Sequence, residues 1–265
     1  MTTLATTFDV SSTKGIPFGR LFRVELRKTA DTRAGRWLIG ITIGAALLAE
    51  GIFLAVAATH DDVDAAYGDF VAAAAFVSSI LLPVLGIMLV TSEWSQRTAM
   101  TTFSLEPRRM RIVMAKLLAG LTLTAFVLAF ALVVGLVCNL LFAAFRGQSP
   151  DWTFGWSGFG GFVITQSFAM LGGFALACLL LNTPAAIVVF FVYKWVLPGL
   201  FALGAALMSW FNDLAPWLDF QSAQNELFDM PLTGTQWGHL VVSGIIWLVL
   251  PLGIGLWRIL RAEVK

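Results

Sequence analysis

Six apolar runs, each long enough to cross a lipid bilayer, constrain this chain more than any other feature. They fall at 37–59, 70–92, 113–144, 158–181, 184–210 and 238–257. About 20 mostly apolar residues in a helix span the hydrocarbon core. No water reaches the backbone there, so a helix, which bonds its own amides internally, is the economical solution. The runs therefore predict an all-α integral membrane protein of six transmembrane helices. Composition agrees. Apolar residues make up 58% of the 265, and charged residues 12%, about half the share usual in soluble domains. A soluble globule would leave much of that apolar surface in water.

The third run is overlong, and Lys116 places its first turn at the membrane interface. The fourth and fifth runs are parted only by Leu181-Asn182-Thr183-Pro184. That sequence suits a tight turn, because Asn and Thr cap helix starts and Pro fits the first helical position. Pro83, Pro198 and Pro251 lie inside runs and are expected to kink them. Residues 1–36 contain no apolar core of the kind found in a cleaved signal peptide, so the N-terminus is expected to be retained.

Basic residues set the orientation. With both termini inside, all 17 Lys and Arg except Arg146 and Lys194 fall before the first run, around the loop joining the second and third, or after the last. The intervening outer loops are acidic, with Asp61, Asp62, Asp64 and Asp69 in one and Asp213, Asp219, Glu226 and Asp229 in another. This bias predicts a multi-pass protein of the plasma (inner) membrane with cytoplasmic termini. The net charge of +1 gives no sign of a nucleic-acid partner.

Residues 1–36 form the first unit and 37–265 the six-helix unit. Within 17–36, Phe18, Leu21, Phe22, Val24 and Leu26 are interleaved with basic residues. The pattern predicts an amphipathic helix lying at the inner membrane surface, in contact with lipid. The plainer alternative is a positive-inside anchor.

The loop at about 93–111 is the most informative segment. It opens with Glu93, continues through Arg97, Thr98, Glu106, Pro107, Arg108 and Arg109, and leads to Lys116. The order of an acid ending the second span, then Thr, then Pro, Arg and Lys leading into the third, resembles permeases of the type 2 exporter family of ABC transporters. The matching positions are Glu93, Thr98, Pro107, Arg109 and Lys116, and Arg97 departs from the Gly frequent in that family. Val24-Glu25-Leu26-Arg27-Lys28 is similar to the family's N-terminal helix, and the plan of six spans agrees. The resemblance implies that this loop couples the chain to a separate ABC ATPase subunit, present in two copies. ATP and Mg would be bound by that partner. It also implies a second permease chain, identical or homologous, that completes the pathway. The alternative for the loop is a basic segment resting on anionic lipid. The connection at about 211–236 is rich in apolar residues, including Trp217, Phe220, Leu227 and Phe228. It reads either as short helices dipping back into the membrane, as the resemblance implies, or as an interfacial aromatic belt.

Two ionisable residues, Glu50 and Lys194, fall within spans. Each costs roughly 3 kcal/mol at mid-bilayer unless paired or hydrated. At about 1.5 Å per residue they lie roughly 20 Å and 15 Å from the inner edge, depths compatible with pairing. They are the candidate pathway or locking residues. Gly40 and Gly44 form a small-xxx-small pair suited to close helix packing. Cys138 and Cys178 lie in apolar runs and read as free buried thiols. His60 and His239 form no zinc motif, and there is no phosphate-binding Gly-rich loop. The chain is thus expected to be a non-enzymatic exporter permease without a cofactor or metal of its own. Two other classes compete: an ion-coupled secondary transporter using Glu50 and Lys194, and a non-transporting anchor or sensor.

Overall fold

A computed structural model describes residues 15–60, 62–96 and 98–261, and every regular element among them is helical. The first is α1, Phe18–Asp31. It ends at Thr32, whose side chain accepts the Gly35 amide and starts α2, Arg33–Thr59. Then follow α3, Tyr67–Ser95, the short α4, Ala99–Leu105, α5, Arg109–Arg146, and α6, Gly155–Leu180. The fifth span is α7, Thr183–Phe191, a π-helical turn at Val192–Val196, and α8, Leu197–Leu207. The sixth is α11, Gly234–Gly244, a π-helical turn at Ile245–Val249, and α12, Leu250–Arg261. Between them stand α9, Ser209–Leu218, and α10, Phe220–Asn225.

Among the described residues, six helices are long and apolar enough to cross a membrane. They are Arg33–Thr59, Tyr67–Ser95, Arg109–Arg146, Gly155–Leu180, Thr183–Leu207 and Gly234–Arg261. The runs read from sequence coincide with these helices to within four residues at their ends, so the fold is that of an all-α, multi-pass membrane protein. Helix α5 has 38 residues, about 57 Å at 1.5 Å each, well beyond a hydrocarbon core of about 30 Å. The excess carries Arg109, Arg111 and Lys116 on its first turns. The turn between α6 and α7 is built as its residues suggest. Leu181 takes the left-handed conformation at φ 53°, and Asn182 caps α7 by accepting the Ala185 amide at 3.0 Å.

The prolines act in two ways. Pro83 sits inside α3, whereas Pro198 and Pro251 each follow a π-helical turn. A proline ring crowds the carbonyl four residues back, and the wider π turn relieves that crowding within a continuous span. The two turns face one another: the rings of Tyr193 and Trp247 lie 5.0 Å apart.

The centre of the bundle is the crossing of α3 and α6. A Cβ on Gly86 would lie 2.4 Å from the Met170 carbonyl oxygen, and one on Gly173 would lie 2.2 Å from that of Pro83. Only glycine admits this approach. Gly40 and Gly44 are different. A Cβ on either would meet nothing within 4 Å, so they mediate no packing inside the chain. Cys138 and Cys178 are free and buried.

Candidate functional site

Most of the bundle's buried charge gathers at one end, which may be called the basic end. The start of α2, the end of α3, the start of α5, the α6–α7 turn and the end of α12 all lie there. Hydrogen bonds connect them: Thr183 to Thr91, Arg258 to the Leu179 carbonyl, and Arg109 to the Ile259 and Leu260 carbonyls.

The network has four members. Glu25 projects from α1 toward α5, and its two oxygens accept from different lysines: Lys28 at 2.8 Å and Lys116 at 2.8 Å. Glu93, in the last turn of α3, receives Lys28 at 2.8 Å and Lys116 at 3.1 Å. Two acids and two bases thus form a closed ring linking α1, α3 and α5. Glu25, Glu93 and Lys116 are each less than a tenth exposed, while the Lys28 side chain is 42% exposed. An acid at a helix C-terminus faces the negative end of the macrodipole. Glu93 therefore depends on the two ammonium groups for its ionised form. Burial acts against the charge of Lys28, but the hydrogen bonds it donates to Glu25 and Glu93, with their negative charge, outweigh it and hold its pKa above the ordinary 10.5.

A second pair fixes the loop. Glu106, buried at the C-terminal end of α4, accepts Arg111 at 2.7 Å and the Arg108 amide at 3.3 Å. Arg111 also reaches the Ile16 carbonyl ahead of α1. The Thr98 amide donates to the Glu93 carbonyl at 2.9 Å, which joins α4 to the end of α3. Pro107 and Arg108 are exposed between the helices, with the Pro107 carbonyl accepting the Arg109 amide. Arg97 lies outside the described residues. The loop residues singled out in the sequence thus divide by role. Glu93, Thr98, Glu106, Arg109 and Lys116 hold the helices together, whereas Pro107 and Arg108 face outward.

Sequence reasoning missed Glu25 and Lys28 as site residues. The signal was present: Glu25 is the one acid among the apolar positions of an otherwise basic helix, three residues before Lys28. The N-terminal helix expected from the sequence is present as α1. Glu25 is the buried residue of α1, and Phe18 and Val24 remain partly exposed, so the helix is docked to the spans through charge as well as apolar contact.

Glu50 and Lys194 form no ion pair with each other within the chain. Glu50 is fully buried on α2, and neither carboxylate oxygen has a hydrogen-bond partner among the described residues. Tyr67 and Cys138 lie within electrostatic reach of it. Lys194 belongs to the first π turn, with its ammonium 5.7 Å from the Trp195 ring centroid. It borders a small space lined by Gln221 and Gln224 of α10.

At the opposite end, Arg146 bonds the Ala57, His60 and Val63 carbonyls and pins the α2–α3 loop to α5. The connection at 211–236 folds into α9, α10 and a 3₁₀ turn at Glu226–Phe228. Phe220 and Leu227 are buried against Phe168 of α6 and Tyr193 and Trp247 of the π turns. The Trp247 indole donates to the Leu218 carbonyl at 2.7 Å. Short helices packed against the last three spans form this connection.

No family model matches the chain, and no curated protein matches it.

Proposed function

We propose that this chain is the membrane-spanning permease subunit of an ATP-driven exporter of the ABC type 2 class. Two permease chains, identical or homologous, enclose the pathway, and two copies of a separate ATPase bind ATP and Mg and drive it. The protein sits in the plasma (inner) membrane with its basic end, and so both termini, in the cytoplasm.

The observation that supports this reading is the way α4 is mounted. A seven-residue helix stands beyond the spans, tied at one end through Glu93 to the Glu25–Lys28–Lys116 ring and at the other through Glu106 to Arg111. A force applied to α4 is delivered to α1, α3 and α5 together, as a rigid-body motion requires. Leu105, 70% exposed, and Arg108 project from this mount and supply an apolar and a cationic contact for a partner. The ordered residues Glu93, Thr98, Pro107, Arg109 and Lys116, which resemble the exporter family's loop, belong to the same unit.

The test uses the outward residues. Leu105→Asp and Arg108→Glu should leave membrane insertion and thermal stability unchanged while releasing the ATPase or abolishing substrate-stimulated hydrolysis. Reversal of Asp62 and Asp64, at the opposite end, is the control. Normal ATPase association and stimulation in both loop variants would refute the coupling role. Transport that persists without ATP and collapses with an ion gradient would favour a secondary transporter instead.

A further inference from the structure

A cavity of about 610 Å³ lies at the basic end, between α1, the spans α2, α3 and α5, and the helix α4. Its volume is in the range of small-molecule sites, about 300–1,000 Å³. Leu21 and Val24 of α1, Leu38 of α2 and Leu85, Met88 and Leu89 of α3 give it apolar walls. The charge ring forms its polar border.

Three acids and three bases line the cavity, and Arg111, just outside the lining, pairs with one of the acids. Glu25 and Glu93 are neutralised by Lys28 and Lys116, and Glu106 by Arg111. Arg20 is left over: it lines the cavity, is exposed, and has no ion pair among the described residues. Lys28 has three donors and gives two of them to Glu25 and Glu93. An occupant suited to these walls has a long apolar part and a single anionic head. Leu38 of the cavity wall neighbours exposed Trp37 and Ile41 on α2. An interfacial helix beside the basic ends of spans sits at headgroup depth, where anionic phospholipid is the abundant amphiphile.

We propose that the cavity binds one acyl chain of an anionic membrane phospholipid, with the phosphate held by Arg20 and Lys28. The site belongs to this chain alone and does not rest on the ATPase reading. Bound lipid would fill the space beneath α1 and brace the ring against α4.

Photocrosslinking of the full chain in phosphatidylcholine nanodiscs tests this without any partner. The probe is a trace of phosphatidylglycerol carrying a diazirine on one acyl chain, with labelled peptides mapped by mass spectrometry. Label is expected on the peptides holding Leu21, Val24, Leu85 and Met88, above that from the matching phosphatidylcholine probe. Arg20→Glu should lower cavity labelling by about fivefold or more, since a single basic contact to an anionic surface contributes about 1 kcal/mol. Met88→Trp, and Val24→Trp as a second filling variant on the more exposed helix, should also suppress it. Labelling at lipid-facing Ile41 and Ile52 should persist in all variants, which shows that the spans are folded and embedded. Silent cavity peptides with normal Ile41 labelling would overturn the proposal and point to a protein segment as the occupant. Equal labelling by both probes, unaffected by Arg20→Glu, would overturn its anionic specificity.

Discussion

The Glu25–Lys28–Glu93–Lys116 ring is the most consequential arrangement at the residue scale. Taking charges out of water is costly, and a ring returns that cost only while every member is present. Lys116→Met should therefore destabilise the detergent-solubilised protein by about 3–5 kcal/mol, because two buried carboxylates then share one half-exposed lysine. Glu25→Gln combined with Lys116→Met should cost less than the sum of the two single changes. A coupling of about 0.5–3 kcal/mol in the double-mutant cycle is the expected measurement, and strict additivity would contradict the ring. Lys28 adds a pH dependence. Its folded pKa is raised, so its contribution is complete below its ordinary value of 10.5 and is lost as pH rises through the higher folded value. Thermal unfolding followed toward alkaline pH should show the loss, and Lys28→Met should remove that step. Glu50 presents the opposite case, a buried carboxyl without a partner. Glu50→Leu should raise the melting temperature, since an unpartnered buried polar group costs about 1–3 kcal/mol. A marked fall would show that Glu50 has a partner in the assembled protein. The place of Glu50 and Lys194 along their spans is legible in the sequence, whereas their azimuth around each helix, which decides contact within the chain, is not. Glu93 and Lys116 were legible because they bracket a loop. Glu25 was not, since an acid on a basic amphipathic helix looks like part of its solvated face.

At the scale of elements, the spans were readable because a run of some 20 apolar residues has few other uses. The Asn182–Pro184 turn was readable because capping chemistry is local. The π-helical turns were not. Pro198 and Pro251 announce a disturbance, but a proline alone does not distinguish a widened turn from a sharp kink. The crossing of α3 and α6 was equally hidden, because a glycine in contact and a glycine facing outward look identical in a Gly-rich sequence. This contrast can be measured. Gly173→Ala and Gly86→Ala each force backbone apart and should cost about 1–3 kcal/mol of stability. Gly40→Ala, with open space around it, should change stability little or raise it by about 0.5–1 kcal/mol. Equal effects at all three positions would contradict the described crossing.

For the molecule as a whole, the structure divides labour between its two ends. The basic end holds the charge ring, the mounted α4 and the lipid-sized cavity. The opposite end is closed by Arg146 and by short helices wedged among the last three spans. Under the proposed function, the basic end is the one that receives work from the ATPase. The most direct test is to purify the tagged chain from its native membrane and assay the preparation for nucleotide hydrolysis, wild type beside Leu105→Asp and Arg108→Glu. The proposed function predicts an ABC ATPase in equal amount with the wild-type chain and substrate-stimulated hydrolysis that both loop variants lose while staying folded. A chain that purifies without any nucleotide-hydrolysing partner, and still moves substrate when ATP is absent, would contradict it.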